Sequence, residues 1–244
     1  MKTIVCALMM LSGNCMAAET ARNWEFPAAG ITAVQAQTES GDLKFIPAAG
    51  ASVKAEQTGE YKADKCEITA EVRGGVVFLA AKTKKAKWFK LGMDGCKAGF
   101  SVTAPAGLKL NIKTGAGSVE AGAFTAGAEV VSGAGGVKFA GLAGALDLTS
   151  GAGRISGEIY SEAFQCKSGA GTVDLAWTRA PKAGSASIKS GAGTIKLAFP
   201  ADSKLKISHS SGAGSFNSEL ASDSAAAFKL DVKTGAGSVD IKKR

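Results

Sequence analysis

The sequence predicts an all-β protein that coils as a parallel β-solenoid (β-helix) of 18–23-residue coils. A tetrapeptide of the form [ST]-G-A-G returns seven times, and a short fixed period of this kind is typical of stacked-repeat proteins. A coil of 18 residues is too short for the crossover helix of a βαβ unit. The hydroxyl residue that opens each copy, called position zero, is Thr114, Ser132, Ser150, Ser168, Ser190, Ser211 or Thr234.

Apolar residues recur at fixed distances from position zero, which predicts two strands in each copy. Strand side chains alternate between faces, so the residues two and four before zero point inward together, and a second inward column begins five residues after zero. The column two before zero is Ile112, Val130, Leu148, Cys166, Ile188, His209 and Val232. The column five after zero is Val119, Val137, Ile155, Val173, Ile195, Phe216 and Val239. If the copies stack in register, matching residues become neighbours.

Each corner between the two strands is expected to place its alanine inward, between two glycines that take positive φ without a steric cost. The segment Thr38–Leu43 resembles a further copy with its corner shortened by two residues. A column of large side chains follows each second strand: Phe124, Leu142, Tyr160, Trp177, Phe199 and Leu220. Such a ladder could stack against sugars, but its regular recurrence favours core packing.

The first 17 residues have the pattern of a secretory signal peptide, with Lys2 before a short apolar run and small residues near Ala17. This pattern predicts a periplasmic, secreted or cell-surface protein. No other apolar run is long enough for a transmembrane helix. Lipidation of Cys15 is the less favoured alternative, because Ser12 and Asn14 stand where a lipoprotein signal needs an apolar and a small residue.

Export makes the remaining cysteines informative, since disulfides persist in oxidising compartments. Cys166 lies in an inward column and is expected to be a buried free thiol. Cys66 and Cys96 are therefore the predicted disulfide, with two unpaired thiols in separate strands as the alternative. Residues 18–105 are interpreted as an N-terminal cap with degenerate rungs and a β-hairpin, and residues 106–244 as the [ST]GAG solenoid.

Two basic segments are candidate ligand contacts. The first is a lysine-rich arm that could meet an anionic glycan, lipid headgroups or nucleic acid, or could simply be a solvated hairpin; its residues are Lys82, Lys84, Lys85, Lys87, Trp88 and Lys90. The second is the edge of the coil where all later insertions fall, which carries Arg179, Lys182 and Lys204. Insertions confined to one edge often form binding surfaces in repeat proteins, although a tolerant edge explains them equally well. Export makes nucleic acid the least expected partner.

The chain ends directly after the last predicted strand, so the seventh copy is expected to form the uncovered end of the stack. The basic residues Lys242, Lys243 and Arg244 would defend this open edge by charge. End-to-end self-association of two molecules is the alternative.

The sequence offers no recognisable catalytic, metal or cofactor motif. The single histidine, His209, lies in an inward column and is interpreted as an interior or end-rung residue rather than a catalytic base. The glycine corners lack the aspartate of calcium-binding repeats, and no lysine and helix follow them as in a phosphate loop. No catalytic residue, metal or cofactor is therefore assigned.

The phrase Phe100–Leu108, followed by Lys113–Val119, resembles the bacterial putative-adhesin families of the DUF4097 and head-GIN type. This resemblance covers about Gly30 to the C-terminus and implies an exported, envelope-associated, non-catalytic β-solenoid. The expected function is an adhesive, binding or structural module that meets an anionic glycan or an envelope protein. The alternative is a glycan-active enzyme on a β-helix scaffold, which would need two or more carboxylates within about 10 Å in one groove.

Overall fold

The computed structural model describes residues 22–84 and 95–244, which form one mixed β-sheet of 18 strands. The predicted signal peptide of residues 1–17 and Cys15 lie outside the described residues. Nothing in the two described ranges forms a helix that is long and apolar enough to cross a membrane.

Each [ST]GAG copy forms a rung, which consists of a first limb before the corner and a second limb after it. In rungs 3 to 5 a single long strand runs through the corner. The strands are β8 (Lys109–Thr114) and β9 (Val119–Ala121) in rung 1, β10 (Ala128–Ala134) and β11 (Val137–Ala143) in rung 2, β12 (Leu146–Tyr160), β13 (Ala163–Trp177) and β14 (Gly184–Phe199) in rungs 3 to 5, β15 (Lys206–Ala213) and β16 (Phe216–Ser218) in rung 6, and β17 (Phe228–Ala236) and β18 (Val239–Lys243) in rung 7.

Neighbouring rungs pair in parallel and in register, so matching residues of successive copies lie side by side. Val130 is directly opposite Ile112 on one side and Leu148 on the other, and these three side chains are at most 2% exposed. The inward columns of rungs 1 to 5 and 7 are buried throughout. The predicted alternation of inward and outward residues is therefore confirmed in these rungs.

The order of the rungs departs from the order of the chain. Rung 7 lies between rungs 5 and 6, because β17 pairs with β14 on one side and β15 on the other, and β18 pairs with β14 and β16. The expectation that the seventh copy forms the open end is therefore wrong. Rung 6 forms that end instead.

This rearrangement explains the composition of both rungs. Rung 6 has the most polar inward face, and its Ile207 and Phe216 are only half-buried. His209, the one polar residue of its column, is exposed and stacks on Phe216 with ring centroids 3.8 Å apart. Conversely, the basic C-terminus does not guard an edge, since Arg244 donates to Glu158 at 2.9 Å.

The rung order predicts which engineered cysteine pairs will form a disulfide. Ser187 lies opposite Asp231, about 4.8 Å away as in any strand pair, whereas Ser208 is one rung further out. Ser187→Cys with Asp231→Cys should therefore oxidise to a disulfide, whereas Ser187→Cys with Ser208→Cys should not, because disulfides need Cα atoms closer than about 7 Å. Mass spectrometry of unreduced peptides reads the result. The opposite outcome would restore the chain order of the rungs.

The corners differ from the prediction in one respect. The alanine of every [ST]GAG corner is exposed, because the backbone bends outward at this point instead of turning the alanine into the narrow core. The second glycine has positive φ, between 125° and 139° in rungs 2 to 7. Successive corners also approach so closely that a Cβ on Gly191 would lie 2.5 Å from the carbonyl oxygen of Gly169. Close backbone approach, together with positive φ, explains why glycine recurs on both sides of the alanine.

The N-terminal strands extend both limbs beyond rung 1. They are β1 (Asn23–Pro27), β2 (Ala33–Thr38), β3 (Leu43–Pro47), β4 (Ser52–Glu60), β5 (Cys66–Arg73), β6 (Val76–Thr83) and β7 (Lys97–Ala104). β2 and β3 pair with β8 and β9 in parallel, while β5–β6, β4–β7 and β1–β4 are antiparallel. Thr38 lies opposite Thr114 and Leu43 opposite Val119. This copy therefore has a corner of full length, and the predicted shortening by two residues is wrong.

The cysteines stabilise two different parts of the sheet. The Sγ atoms of Cys66 and Cys96 form a disulfide, with the two Cα atoms 5.0 Å apart, which ties the start of β5 to the residue before β7. Cys166 is a free thiol in the core. Burial, and to a smaller extent the charge of Asp147, raises the pKa of the Cys166 thiol to about 12. This thiol therefore stays protonated and acts as a small apolar residue.

The large side chains that follow the second limbs pack in the core, with one exception. Trp177 is fully buried, stacks on Phe199 at 4.3 Å and meets Phe164 edge-on at 5.4 Å. Phe124 and Leu142 are also fully buried. The interpretation of this column as core is confirmed for these residues, while Tyr160 is only half-buried and takes part in the site described next.

Candidate functional site

The later rungs share a large cleft on the edge where their return loops project. This loop-edge cleft has a volume of about 1030 Å³ and is lined by the end of β12 and the three loops that follow β13, β14 and β16. Its charged lining residues are Glu162, Arg179, Lys182, Asp202, Lys204 and Asp223. The three basic residues predicted from the insertions, Arg179, Lys182 and Lys204, therefore lie in one cleft.

The rung order gives a physical reason for two of the three long loops. The β14–β15 loop (residues 200–205) passes from rung 5 to rung 6 over the position that rung 7 occupies. The β16–β17 loop (residues 219–227) returns the chain to that position. Both connections span two rung spacings, about 10 Å. The β13–β14 loop joins adjacent rungs and needs no such length, so its insertion is the one that the topology leaves unexplained.

Tyr160 organises the inner wall of the cleft. The guanidinium of Arg179 lies over its ring, 3.6 Å from the centroid, in a cation–π contact. The Tyr160 hydroxyl donates to the Glu162 carboxylate at 2.7 Å, and the backbone N–H of Lys182 donates to the same oxygen at 3.0 Å. These contacts hold the β13–β14 loop against the end of β12.

The hydrogen bonds shift both titrating groups of this wall. The Tyr160 hydroxyl, followed by the Lys182 N–H, lowers the pKa of Glu162 because each favours the carboxylate. Its bond to Glu162, reinforced by burial, raises the pKa of Tyr160. Glu162 thus remains an anion, and Tyr160 a neutral donor, over a wider pH range than either would alone.

The pKa shift of Glu162 predicts the effect of removing its main donor. Tyr160→Phe should raise the pKa of Glu162 toward the ordinary range, because the hydroxyl that stabilises the carboxylate is gone. The native hydrogen bonds are present above the ordinary pKa and are lost as pH falls through the lowered value, so the variant loses them at a higher pH. Carbon-13 NMR titration of the carboxyl group measures this shift. An unchanged pKa in Tyr160→Phe would contradict the assigned cause.

The free charge of the cleft is cationic. Glu162 already accepts two hydrogen bonds, and Asp223 accepts one from the backbone N–H of Ala225 at 2.9 Å. The ammonium groups of Lys182 and Lys204 form no ion pair within 4.0 Å in the described ranges. Both lysine side chains are therefore available to an anionic ligand.

The lysine-rich arm is separate from this cleft. Lys82 lies on β6, opposite Glu67, and Lys84 donates to the carbonyl oxygen of Ala63 at 2.6 Å. β6 extends the sheet beyond β2, at the other end of the first limbs from rungs 5 to 7. The remaining predicted arm contacts, Lys85, Lys87, Trp88 and Lys90, lie outside the described residues.

The sequence did not reveal the acidic and aromatic side of the cleft. Tyr160 belongs to a column that is otherwise core, and its register gives no sign that it reaches the surface. Glu162 is an isolated acid between two strands. Asp202 and Asp223 lie in loops whose mutual approach follows from the rung order, which sequence spacing does not contain.

Comparison with known proteins gives only distant structural matches. No family model matches the chain, and no curated protein matches it. A "putative adhesin" from Bacteroides fragilis is similar at 14% identity and a TM-score of 0.48, over 92% of this chain and 98% of that one. A "putative cell adhesion protein" from Clostridium sporogenes has 13% identity and a TM-score of 0.39, over 92% and 99%. A "putative lipid binding protein" from Parabacteroides distasonis has 14% identity and a TM-score of 0.36, over 93% and 98%. At this distance the likeness assigns no activity, ligand or location to the chain.

Proposed function

We propose that this chain is an exported, non-catalytic binding module of a bacterial cell envelope, periplasmic or at the surface, that holds an anionic glycan in the loop-edge cleft. Residues 1–17 are its signal peptide, residues 18–105 its N-terminal cap, and residues 106–244 a parallel β-solenoid. The in-register parallel pairing of rungs 1 to 7 supports the solenoid. A disulfide between Cys66 and Cys96 is consistent with an oxidising compartment.

The observation that carries the proposal is the balance of charge in the cleft. Arg179 is held in place on Tyr160, while Lys182 and Lys204 project from different loops without an ion-pair partner among the described residues. Two of the three carboxylates are already occupied by donors of the chain itself. A ligand with carboxylate or sulfate groups and several hydroxyls would match fixed cations and the open, polar shape of the cleft.

A glycan array on the protein without residues 1–17 tests this proposal. Anionic oligosaccharides should bind and neutral ones should not, and Lys182→Gln with Lys204→Gln should weaken binding about 10-fold or more, as expected for two charge-assisted contacts. The matched control is Lys138→Gln with Lys196→Gln, which removes the same charge from the second limbs. A second control replaces the five arm lysines with glutamine and should bind normally. Equal binding by the cleft variant and the unaltered protein would overturn the proposal.

One observation favours the enzymatic alternative. The cleft brings together Glu162, Asp202 and Asp223, and a pair of carboxylates in one groove is what glycoside hydrolysis requires. The lowered pKa of Glu162 opposes a role as general acid, since that role needs a raised pKa. Release of reducing ends from an oligosaccharide that binds, abolished by Glu162→Gln or Asp202→Asn, would establish an enzyme. Bound but intact oligosaccharide would support the binding module.

A further inference from the structure

The outer face of the first limbs carries three lysines in direct line. Lys167 on β13 lies opposite Lys189 on β14, and Lys189 lies opposite Lys233 on β17. Adjacent strands are about 4.8 Å apart, so the three residues form a row across the strands at that spacing. All three are exposed. We call this row the lysine ladder.

The lysine ladder is a product of the rung order. In chain order Lys189 would face Ser210, and the row would end after two lysines. Because rung 7 enters beside rung 5, Lys233 takes that place and Ser210 moves one rung outward. The same two strands add a second pair of lysines to this face, since Lys229 on β17 lies opposite Lys206 on β15.

Little on the protein neutralises the lysine ladder. Lys233 forms an ion pair with Asp231 at 3.3 Å. Lys167 and Lys189 form none within 4.0 Å in residues 22–84 and 95–244. Like charges directly opposite each other in a sheet are destabilising, so the row is maintained against a cost.

The second limbs show the opposite arrangement on the same strands. Lys196 on β14 lies opposite Asp174 on one side and Asp240 on the other. Lys138 likewise lies opposite Glu120. Alternation of sign is therefore the rule on one limb, and a single sign is repeated on the other. A row of uncompensated cations at regular spacing is suited to a partner with anions at regular spacing.

We propose that the lysine ladder is a binding surface for a linear polyanion, a sulfated or carboxylated polysaccharide that runs across the strands from β13 to β17. A polymer with a charge on each monomer can meet successive rungs with successive charges, which a single anion cannot do. Exposed Ser208 and Ser210 lie beside the lysines and offer hydroxyls to the polymer. This surface is distinct from the loop-edge cleft, so the two can bind or fail independently.

Binding to immobilised heparin, as a sulfated probe, and to polygalacturonate, as a carboxylated probe, tests the inference, with neutral dextran as the blank. Lys167→Gln, Lys189→Gln and Lys233→Gln together should weaken binding to at least one polyanion by about 100-fold, at roughly a factor of five per lysine near an anionic surface. The dependence of affinity on salt should also become shallower, because fewer counterions are released. Inorganic sulfate at the same total charge should compete poorly.

The control variant removes three lysines from the second limbs: Lys138→Gln, Lys196→Gln and Lys242→Gln. It should retain binding within about threefold, because these residues lie outside the proposed surface. Equal losses in both triple variants would show a general charge effect and overturn the proposal, as would no binding of the unaltered protein to either polymer. The cleft variant Lys182→Gln with Lys204→Gln should bind the polymers normally. A loss in that variant alone would place polymer binding in the cleft and remove the ladder.

A ligand-free measurement checks the electrostatic premise. At low salt Lys189→Gln should raise the Tm by about 1–3 °C, because it relieves two repulsions, whereas Lys196→Gln should lower the Tm by a similar amount, because it removes two attractions. Both shifts should disappear in 1 M NaCl. Shifts of the same sign in the two variants would refute the repulsion along the ladder.

Discussion

Replacing Trp177 with alanine is expected to lower the free energy of unfolding by about 4 kcal/mol, the range that is typical of truncating a buried tryptophan. The indole is fully buried and packs between Phe199, stacked at 4.3 Å, and Phe164, edge-on at 5.4 Å. Its Nε1–H also donates to the carbonyl oxygen of Ser161 at 3.1 Å. The variant therefore leaves a cavity and a buried acceptor without its donor.

Urea denaturation measures this effect as a fall in the transition midpoint at an unchanged slope. Trp24→Ala is the matched control. Trp24 is half-buried on β1 and has one tilted contact, with Phe100 at 6.2 Å, so its loss should cost clearly less. Equal losses for the two tryptophans would show that the aromatic packing at rungs 4 and 5 has no special share in stability.

The inward columns could be predicted from sequence because each inward position is repeated seven times. A single strand with one histidine or alanine is ambiguous, but a column such as Ile112, Val130 and Leu148 is not. The strict period of two then assigns the outward residues as well. The corner alanine was misplaced because the alternation was extended through a bend, where positive φ at the second glycine breaks it.

The rung order could not be predicted because chain order is the simplest path between identical units. The stacking surfaces of the copies are nearly interchangeable, so the repeat itself does not select a neighbour. One signal was available in hindsight. Rung 6 replaces apolar residues with His209 and carries an unusually polar first limb from Ser208 to Ser211, as suits the rung that borders water.

The candidate sites divide along the same line. The basic residues of the loop-edge cleft were predictable, since insertion lengths are visible in the sequence. The acidic residues of the cleft and the lysine ladder were not, because both depend on which rungs are adjacent. Lys189 and Lys233 are 44 positions apart, yet they are neighbours across a single strand pair.

The corners themselves provide the second strong prediction. Gly135 has a φ of 128°, and a Cβ at this position would lie 2.5 Å from the carbonyl oxygen of Gly117 in the next rung. Gly135→Ala would therefore force a side chain into a conformation that is essentially restricted to glycine and into contact with backbone that cannot move aside. Strain and overpacking of this kind should together cost about 3–5 kcal/mol.

The adjacent residue offers a control that differs in nothing but its environment. A Cβ on Gly136 meets no atom within 4 Å, and its φ lies outside the positive region, so Gly136→Ala should leave the free energy of unfolding within about 0.5 kcal/mol or raise it slightly. Both variants add one methyl group to the same corner. If urea denaturation shows equal effects, the glycines are retained for a reason other than close stacking. If only Gly135→Ala is destabilised, the recurrence of glycine is explained by the backbone contact between rungs, which is also what brings the lysines of the ladder into register.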